Sequence, residues 1–324
     1  MPQSETSIRP DVRAYLDGLA AMPRPPMGDA LIAQIRAMPP EMLGTMAQQD
    51  LPVGELGVIR DVVMPAPDGE IALRLFDART TREPCPVVVF YHGGGYVLGS
   101  IDTHAALAAE IARQLDLPVV SVEYRLAPEH PWPAALDDGE AAARWIADNG
   151  AAFDRRFTGL VLCGDSAGGT LTAVTALALR DDPASLPLLA QVPIYPKVDF
   201  TRLYPSDQAF SQGYGLDQAD MEYFNAAYRA DPEHWRGSPL MADQAGLPPT
   251  LVVTAALDPL RDNGRTYAAA LVEAGVDTIY REFKGTIHGF CSFRALIPSA
   301  REDLAEICSL ASGMIARRRK ELQV

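Results

Sequence analysis

The sequence predicts an α/β protein in which a mainly parallel central sheet carries helices on both faces. Short apolar runs alternate with longer amphipathic stretches from about residue 56 to the end of the 324-residue chain. Hydrophobic residues make up 48% of the chain, so a sheet of this kind can be buried on both sides. We predict strands at 87–91, 119–124, 160–163, 188–194, 250–255 and 278–283. We predict helices at 104–115, 134–149, 167–180, 263–274 and 300–320.

The first 50 residues favour short helices. Apolar side chains recur there with the spacing of one helical face, at Val12, Tyr15, Leu16 and Leu19. Asp29 is a candidate N-cap for a second helix, and the proline-containing stretches 22–28 and 39–40 separate these segments. Amphipathic helices this short cannot bury their apolar faces alone, so we expect them to pack on another part of the protein.

Two further segments depart from the alternating pattern. Residues 57–65 and 70–77 flank a turn signal at 66–69, which predicts a β-hairpin at the antiparallel edge of the sheet. Residues 197–247 lie between two strands and are too long for an ordinary βα loop. This insertion is rich in aromatic side chains, which favours a lid or a wall beside a binding site: Tyr204, Phe210, Tyr214, Tyr223, Phe224, Tyr228 and Trp235.

Charge and cysteine content exclude several classes of function. The formal net charge is -14 and the isoelectric point is about 4.8, so nucleic acid and anionic lipid surfaces are repelled. The four cysteines are far apart and match no metal-site spacing, so we expect no disulfide framework, no metal and no cofactor. The first residues lack the apolar core of a signal peptide, and no apolar stretch is long enough to span a bilayer. We therefore expect a cytoplasmic protein that binds neither nucleic acid nor membranes.

Residues 164–168, Gly-Asp-Ser-Ala-Gly, give the first chemical signal. They follow a predicted strand and precede a predicted helix, the setting in which a G-x-S-x-G turn exposes a serine hydroxyl. Small residues on either side let the strand and the helix approach closely, and the helix N-terminus favours negative charge nearby. Ser166 is therefore the candidate nucleophile.

A glycine-rich loop follows the first parallel strand, with the sequence Tyr-His-Gly-Gly-Gly-Tyr at 91–96. Glycines allow backbone N–H groups to face a ligand, and acyl transfer needs such donors for the oxyanion. We predict that Gly93, Gly94 and Ala167 donate these hydrogen bonds. The loop lacks the lysine and the serine or threonine of a P-loop, and we expect His92 to brace it.

A serine nucleophile needs a general base and an acid that orients the base. Of the five histidines, only His288 follows the last predicted strand, as the chain order serine, acid, histidine requires. Asp258 follows the strand after the insertion and is the candidate acid, whereas Asp262 is better placed to cap the next helix. The candidate catalytic residues are therefore Ser166, Asp258 and His288.

Together these motifs resemble the bacterial hormone-sensitive-lipase-like esterases, also called family IV. The matching segments extend from about residue 55 to the end of the chain: YHGGGYVLGS at 91–100, EYRLAPEHPWPAALDD at 123–138, GDSAGG at 164–169, SPL at 238–240, DPLRD at 258–262 and HGF at 288–290. The resemblance implies an α/β-hydrolase fold with a helical cap. It divides the chain into an N-terminal part of the cap at 1–50, a core at 51–196 and 248–324, and a cap insertion at 197–247.

The resemblance also implies roles for individual residues. The family's catalytic triad and oxyanion donors map onto the residues chosen above, and Arg125 and Glu129 are expected to support the glycine-rich loop. Thr170 stands where the family often has Asn, and Asn263 where it often has Glu or another polar residue. The resemblance therefore does not define the hydrogen bonds around these two positions.

The motifs and the resemblance predict a serine carboxylesterase that cleaves short- to medium-chain esters through an acyl-enzyme. Tyr96, Phe210 and Tyr214 are predicted to bind the substrate, a small-molecule ester. Two alternatives stay open: an amidase or peptidase with the same triad, and a non-catalytic ligand-binding relative of the fold. The resemblance also favours a homodimer formed through a sheet edge or the cap.

Overall fold

Strands form the centre of the protein. In the computed structural model, which describes residues 7–22, 25–38, 50–67 and 69–323, they are β1 (Val58–Ala66), β2 (Gly69–Asp77), β3 (Cys85–Tyr91), β4 (Val119–Val122), β5 (Phe157–Asp165), β6 (Leu188–Ile194), β7 (Thr250–Leu257) and β8 (Thr278–Ile287). They form one sheet in the order β1-β2-β4-β3-β5-β6-β7-β8. The pairs β1–β2 and β2–β4 are antiparallel and the other pairs are parallel. The predicted mainly parallel sheet with a hairpin at its edge is confirmed, although Asp68 of the predicted turn lies outside the described residues.

Helices cover both faces of this sheet. The helices of the described residues, including those outside the sheet faces, are α1 (Pro10–Ala20), α2 (Asp29–Arg36), α3 (Ala105–Leu115), α4 (Ala134–Asp148), α5 (Ala167–Asp181), α6 (Pro205–Ala209), α7 (Gln218–Tyr228), α8 (Arg261–Glu273) and α9 (Ala300–Leu322). Helices α4, α5 and α8 contribute to one hydrophobic core, and α1, α3 and α9 contribute to the other.

Alternation along the strands explains why there are two cores. Successive side chains of a strand point to opposite faces of the sheet. Val87 and Val89 of β3 lie in the first core, whereas Val88 and Phe90 lie in the second. Because both faces are covered, the central strands are apolar at nearly every position, and this is the signal that the sequence carries.

The predicted helix caps are wrong at two aspartates. Asp29 and Asp262 lie inside the first turns of α2 and α8, because the N-cap positions are Gly28 and Leu260. Their carboxylates bind other segments instead. Asp29 accepts a hydrogen bond from the Tyr223 hydroxyl at 2.9 Å. Asp262 accepts one from the backbone N–H of Ser206 at 3.0 Å.

The two N-terminal helices have different neighbours. Val12 and Leu16 of α1 are buried in the core that α3 and α9 share. Helix α2 instead contacts the insertion through Asp29, and its Arg36 Nε donates to the carbonyl oxygen of Val97 at 2.9 Å. Pro39-Pro40, one of the two stretches predicted to separate the helical segments, lies outside the described residues.

The described residues contain neither a candidate membrane span nor a candidate metal cluster. No helix there has both the length and the apolarity needed to cross a bilayer. No group of three or more His, Cys, Asp or Glu side chains there is arranged to hold a metal ion. The four cysteines are free thiols.

Candidate active site

Ser166 lies on the tight turn between β5 and α5. Strand β5 ends at Asp165 and helix α5 begins at Ala167, so Ser166 alone makes the turn. Its backbone angles are φ 55° and ψ -115°, a conformation that costs a non-glycine residue free energy and occurs at functional sites. The N–H of Ser166 donates to the carbonyl oxygen of Ile194 at 2.8 Å and holds the turn in place. The strand–turn–helix setting predicted from the sequence is confirmed.

Two glycines of the motif are required by close contacts. A Cβ atom on Gly164 would lie 2.3 Å from the carbonyl oxygen of Gly168. A Cβ atom on Gly168 would lie 1.9 Å from the carbonyl oxygen of Tyr91 at the end of β3. The turn therefore packs directly against the neighbouring parallel strand, and no side chain fits between them.

The three predicted catalytic side chains lie in one hydrogen-bonded row. His288 Nε2 is 2.8 Å from Ser166 Oγ, and His288 Nδ1 is 2.8 Å from Asp258 Oδ2. Asp258 follows β7 and is completely buried, and its Oδ1 accepts the N–H of Leu260 at 2.7 Å. His288 follows β8. The ends of β5, β7 and β8 meet at the same edge of the sheet, which is why distant residues converge here.

The glycine-rich loop lies beside Ser166, but its first glycine has another role than predicted. The N–H of Gly93 donates to Asp165 Oδ1 at 2.9 Å, so it is not available to a substrate. The prediction that Gly93 donates to the oxyanion is therefore wrong. Gly94, Gly95 and Ala167 line the cavity next to Ser166, and within the described residues their N–H groups have no acceptor.

His92 braces the loop, as expected. Its ring is buried, with Nδ1 2.8 Å from the carbonyl oxygen of Gly93, and it stacks on Tyr124 with ring centroids 4.2 Å apart. The Tyr124 hydroxyl also donates to the carbonyl oxygen of His92 at 2.6 Å. Burial lowers the pKa of His92 to about 3, so the ring is neutral near pH 7.

Asp165 and His104 form a pair that lines the cavity next to Ser166. His104 Nε2 is 3.6 Å from Asp165 Oδ1. Burial opposes the charge on both groups, but their mutual attraction outweighs it. The pKa of His104 is raised and that of Asp165 is lowered. Sequence reasoning missed this pair, although Asp165 adjoins the nucleophile and was the available signal.

Arg125 and Glu129 reach the loop less directly than the resemblance implied. Arg125 Nη2 pairs with Asp138 Oδ1 on α4 at 2.8 Å. Glu129 is largely exposed and pairs with Arg36, and it is Arg36 that binds Val97. Direct links between this segment and the loop come instead from Tyr124, which contacts His92, and from the Ala127 N–H, which donates to the Tyr96 carbonyl oxygen at 2.8 Å.

Thr170 and Asn263 both hold the start of the insertion. Thr170 Oγ1 donates to the carbonyl oxygen of Lys197 at 2.7 Å. Asn263 Oδ1 accepts the N–H groups of Val198 at 3.2 Å and Asp199 at 3.1 Å. Although Thr170 and Asn263 depart from the family pattern, both side chains form hydrogen bonds with the first residues of the insertion.

A cavity of about 420 Å³ opens beside Ser166 and His288. Most of its wall is apolar and comes from α2, the loop, the insertion and the segments after β7 and β8: Ile35, Leu98, Phe200, Leu216, Met221, Phe224, Leu260 and Phe293. Tyr96 also lines the cavity, and its ring stacks on that of Tyr228 with the ring centroids 3.6 Å apart.

Phe210 and Tyr214 do not line this cavity within the described part of the chain. Their rings contact each other at 5.0 Å, and the Arg261 guanidinium lies 5.1 Å from the centre of the Phe210 ring. The two rings therefore pack against other parts of the protein. This arrangement does not support the prediction that Phe210 and Tyr214 bind the substrate.

The fold and the serine–histidine–aspartate row define an α/β-hydrolase. A model of the Abhydrolase_3 family, described as having the alpha/beta hydrolase fold, matches residues 88–292, and the chain belongs to this family. Its relatives place it among the hormone-sensitive-lipase-like, family IV, carboxylesterases, as the motifs predicted.

Named proteins resemble this chain over most of its length. It is 37% identical to the carboxylic ester hydrolase LipN of Mycobacterium tuberculosis, over 80% of this chain and 71% of that protein. It is 36% identical to the carboxylesterase NlhH of the same organism, over 82% of both chains. A hyperthermophilic esterase from Pyrobaculum calidifontis superposes with a TM-score of 0.85 at 36% identity, covering 95% of this chain and 99% of that one.

Proposed function

We propose that this protein is a serine carboxylesterase that hydrolyses short- to medium-chain carboxylic esters through an acyl-enzyme intermediate. The observation that carries the proposal is the row Ser166–His288–Asp258, with both hydrogen bonds at 2.8 Å, at the wall of an apolar cavity. The curated relatives named as carboxylesterases support the same reaction.

In the first step, Ser166 Oγ attacks the ester carbonyl carbon while His288 Nε2 takes the hydroxyl proton. The carbonyl oxygen becomes an oxyanion, for which we propose the N–H groups of Gly94, Gly95 and Ala167 as donors. Asp258 holds the proton on Nδ1 and stabilises the imidazolium without being protonated. Collapse of the intermediate breaks the bond to the alcohol, which receives its proton from His288.

In the second step, water attacks the acyl-enzyme and gives a proton to His288. The same donors hold the second oxyanion, and its collapse releases the carboxylic acid and restores the Ser166 hydroxyl. Each donor in such a site typically contributes about 3–4 kcal/mol of transition-state stabilisation.

The cavity supports small substrates. Its volume of about 420 Å³ lies toward the lower end of the range for small-molecule sites, and residues of α2 and of the insertion close one side. We propose that α2 and the insertion 197–247 form the cap, while α1 is packed on the hydrolase core. The homodimer and the cytoplasmic location stay predictions.

An ester panel tests the function. We expect wild-type protein to hydrolyse p-nitrophenyl acetate, butyrate and hexanoate faster than the laurate, and Ser166→Ala to lose at least about 10⁴-fold in kcat. Ser292→Ala is the matched control, because it removes a hydroxyl from the same cavity and should change kcat by less than about threefold. Full activity of Ser166→Ala would refute the proposal.

The same proteins separate the alternatives. An amidase would cleave the matched p-nitroanilide at a rate comparable to the ester. A binding-only relative would fail to react with a fluorophosphonate, whereas the proposed esterase is labelled once, and only when Ser166 is present.

A further inference from the structure

Lys197 is a cation in the wall of an otherwise mostly apolar cavity. It lies just after β6, and among the described residues that line the cavity it is the only lysine or arginine. Its Nζ is 3.2 Å from Asn225 Oδ1 and 4.3 Å from the centre of the Phe200 ring. An ammonium group has three N–H donors, so these contacts leave donating capacity unused.

No carboxylate of the described residues lies within 4.0 Å of Lys197 Nζ. Asp199 and Asp207 attract it from farther away, but they are hydrogen-bonded within their own segment: Asp199 to the Tyr204 hydroxyl and Asp207 to the Tyr204 backbone N–H. Burial lowers the pKa of Lys197, with these two aspartates opposing the shift. A partly buried cation without an ion-pair partner is less favourable than a paired one, so an anion in the cavity would compensate it.

We propose that Lys197 binds a carboxylate carried by the substrate, so that the enzyme favours esters with a second, anionic group. The inference rests on the proposed esterase function, because Lys197 and the candidate nucleophile Ser166 line the same cavity. Such a pair combines charge with hydrogen bonding in a partly desolvated setting, where both are stronger than in water.

The overall charge of the protein does not produce this preference. A net charge of -14 repels anions at a distance. At physiological ionic strength that repulsion is screened over about 8 Å, so contacts inside the cavity decide selectivity. A carboxylate could come from the acyl part or from the alcohol part of the ester, and the test has an arm for each.

The test compares isosteric esters that differ in one charge. The acyl arm pairs monoethyl adipate with ethyl 6-methylheptanoate, and the alcohol arm pairs 4-butyryloxybutanoate with 4-methylpentyl butyrate, so that an isopropyl group replaces the carboxylate in each neutral ester. In at least one arm, wild-type kcat/KM for the anionic ester should equal or exceed that for the neutral one. Lys197→Met should lower this anionic-to-neutral ratio about 10- to 100-fold, the range of a hydrogen bond to a charged group. Lys197→Arg should retain most of it.

The control is Lys284→Met, which makes the same substitution at an exposed lysine outside the cavity. It should leave the ratio unchanged. Fluorophosphonate titration of active sites normalises every protein for the folded fraction.

Two results would overturn this inference and leave the proposed function standing: a wild-type ratio below unity in both arms, or an equal ratio in wild type and Lys197→Met. The wild-type ratio decides even if Lys197→Met does not fold. If wild type hydrolysed none of the four esters, the proposed function would fail instead.

Discussion

Asp258→Asn tests how the site fixes the tautomer of His288. Asp258 Oδ1 accepts the Leu260 N–H at 2.7 Å, and its Oδ2 is 2.8 Å from His288 Nδ1. In the variant, the amide oxygen must stay on the Leu260 side, because an NH₂ group cannot accept a hydrogen bond. The amide NH₂ then faces Nδ1 and donates to it. The ring proton moves to Nε2, which can no longer accept the proton of Ser166.

The expected loss in kcat is about 10⁴-fold, equivalent to about 5.4 kcal/mol of activation free energy. Asp258 is completely buried, so water cannot readily take the place of the carboxylate. The measurement is kcat with p-nitrophenyl butyrate, normalised by active-site titration. Asp262→Asn is the control, because that carboxylate binds Ser206 and Arg261 and should change kcat by less than about threefold. If Asp258→Asn kept more than about a tenth of kcat, the tautomer argument would be refuted.

Further predictions concern stability. Gly168→Ala should destabilise by more than about 4 kcal/mol in urea unfolding, since its Cβ would lie 1.9 Å from the Tyr91 oxygen. Gly313→Ala is the control, because a Cβ atom at this position of α9 would meet no other atom within 4 Å, and it should stabilise the protein by up to about 1 kcal/mol. A similar loss of unfolding free energy in both variants would contradict the packing argument. His92 has a folded pKa of about 3, below its unfolded value, so its contribution to stability should be lost as pH falls from about 6.5 toward 3. Wild type should then lose up to about 1.4 kcal/mol per pH unit more than His92→Gln, and parallel curves would exclude a buried neutral ring.

The catalytic row could be predicted because each member directly follows a strand. Ser166, Asp258 and His288 come after apolar runs that are easy to recognise, and the ends of parallel strands lie at one edge of a sheet. The strand and helix positions followed from the same alternation. The strand predicted at 188–194 matches β6 in the structure, whereas the strand predicted at 119–124 corresponds to β4, which ends at Val122.

The finer assignments failed where one residue of register decides. Sequence cannot show that the Asp165 carboxylate accepts the hydrogen bond of the Gly93 N–H, nor that Gly95 lines the cavity. The side chains of Phe210 and Tyr214 depend on the course of an irregular segment, which has no periodicity to read. The caps at Asp29 and Asp262 failed because helix ends are uncertain by one or two residues.

Lys197 was missed for a related reason. Its neighbours Tyr-Pro and Val-Asp-Phe mark the end of a strand, but nothing in them shows that the side chain enters the cavity. That position depends on the contact with Asn225, which is distant in sequence and lies on α7.

The most direct test of the central claim is a crystal structure of the protein after reaction with diethyl p-nitrophenyl phosphate, whose tetrahedral adduct resembles the acyl-transfer intermediate. We predict phosphorus bonded to Ser166 Oγ, with the phosphoryl oxygen about 2.7–3.1 Å from the N–H nitrogens of Gly94, Gly95 and Ala167. Phosphorus on another side chain, or a phosphoryl oxygen pointing away from these three nitrogens, would contradict the account.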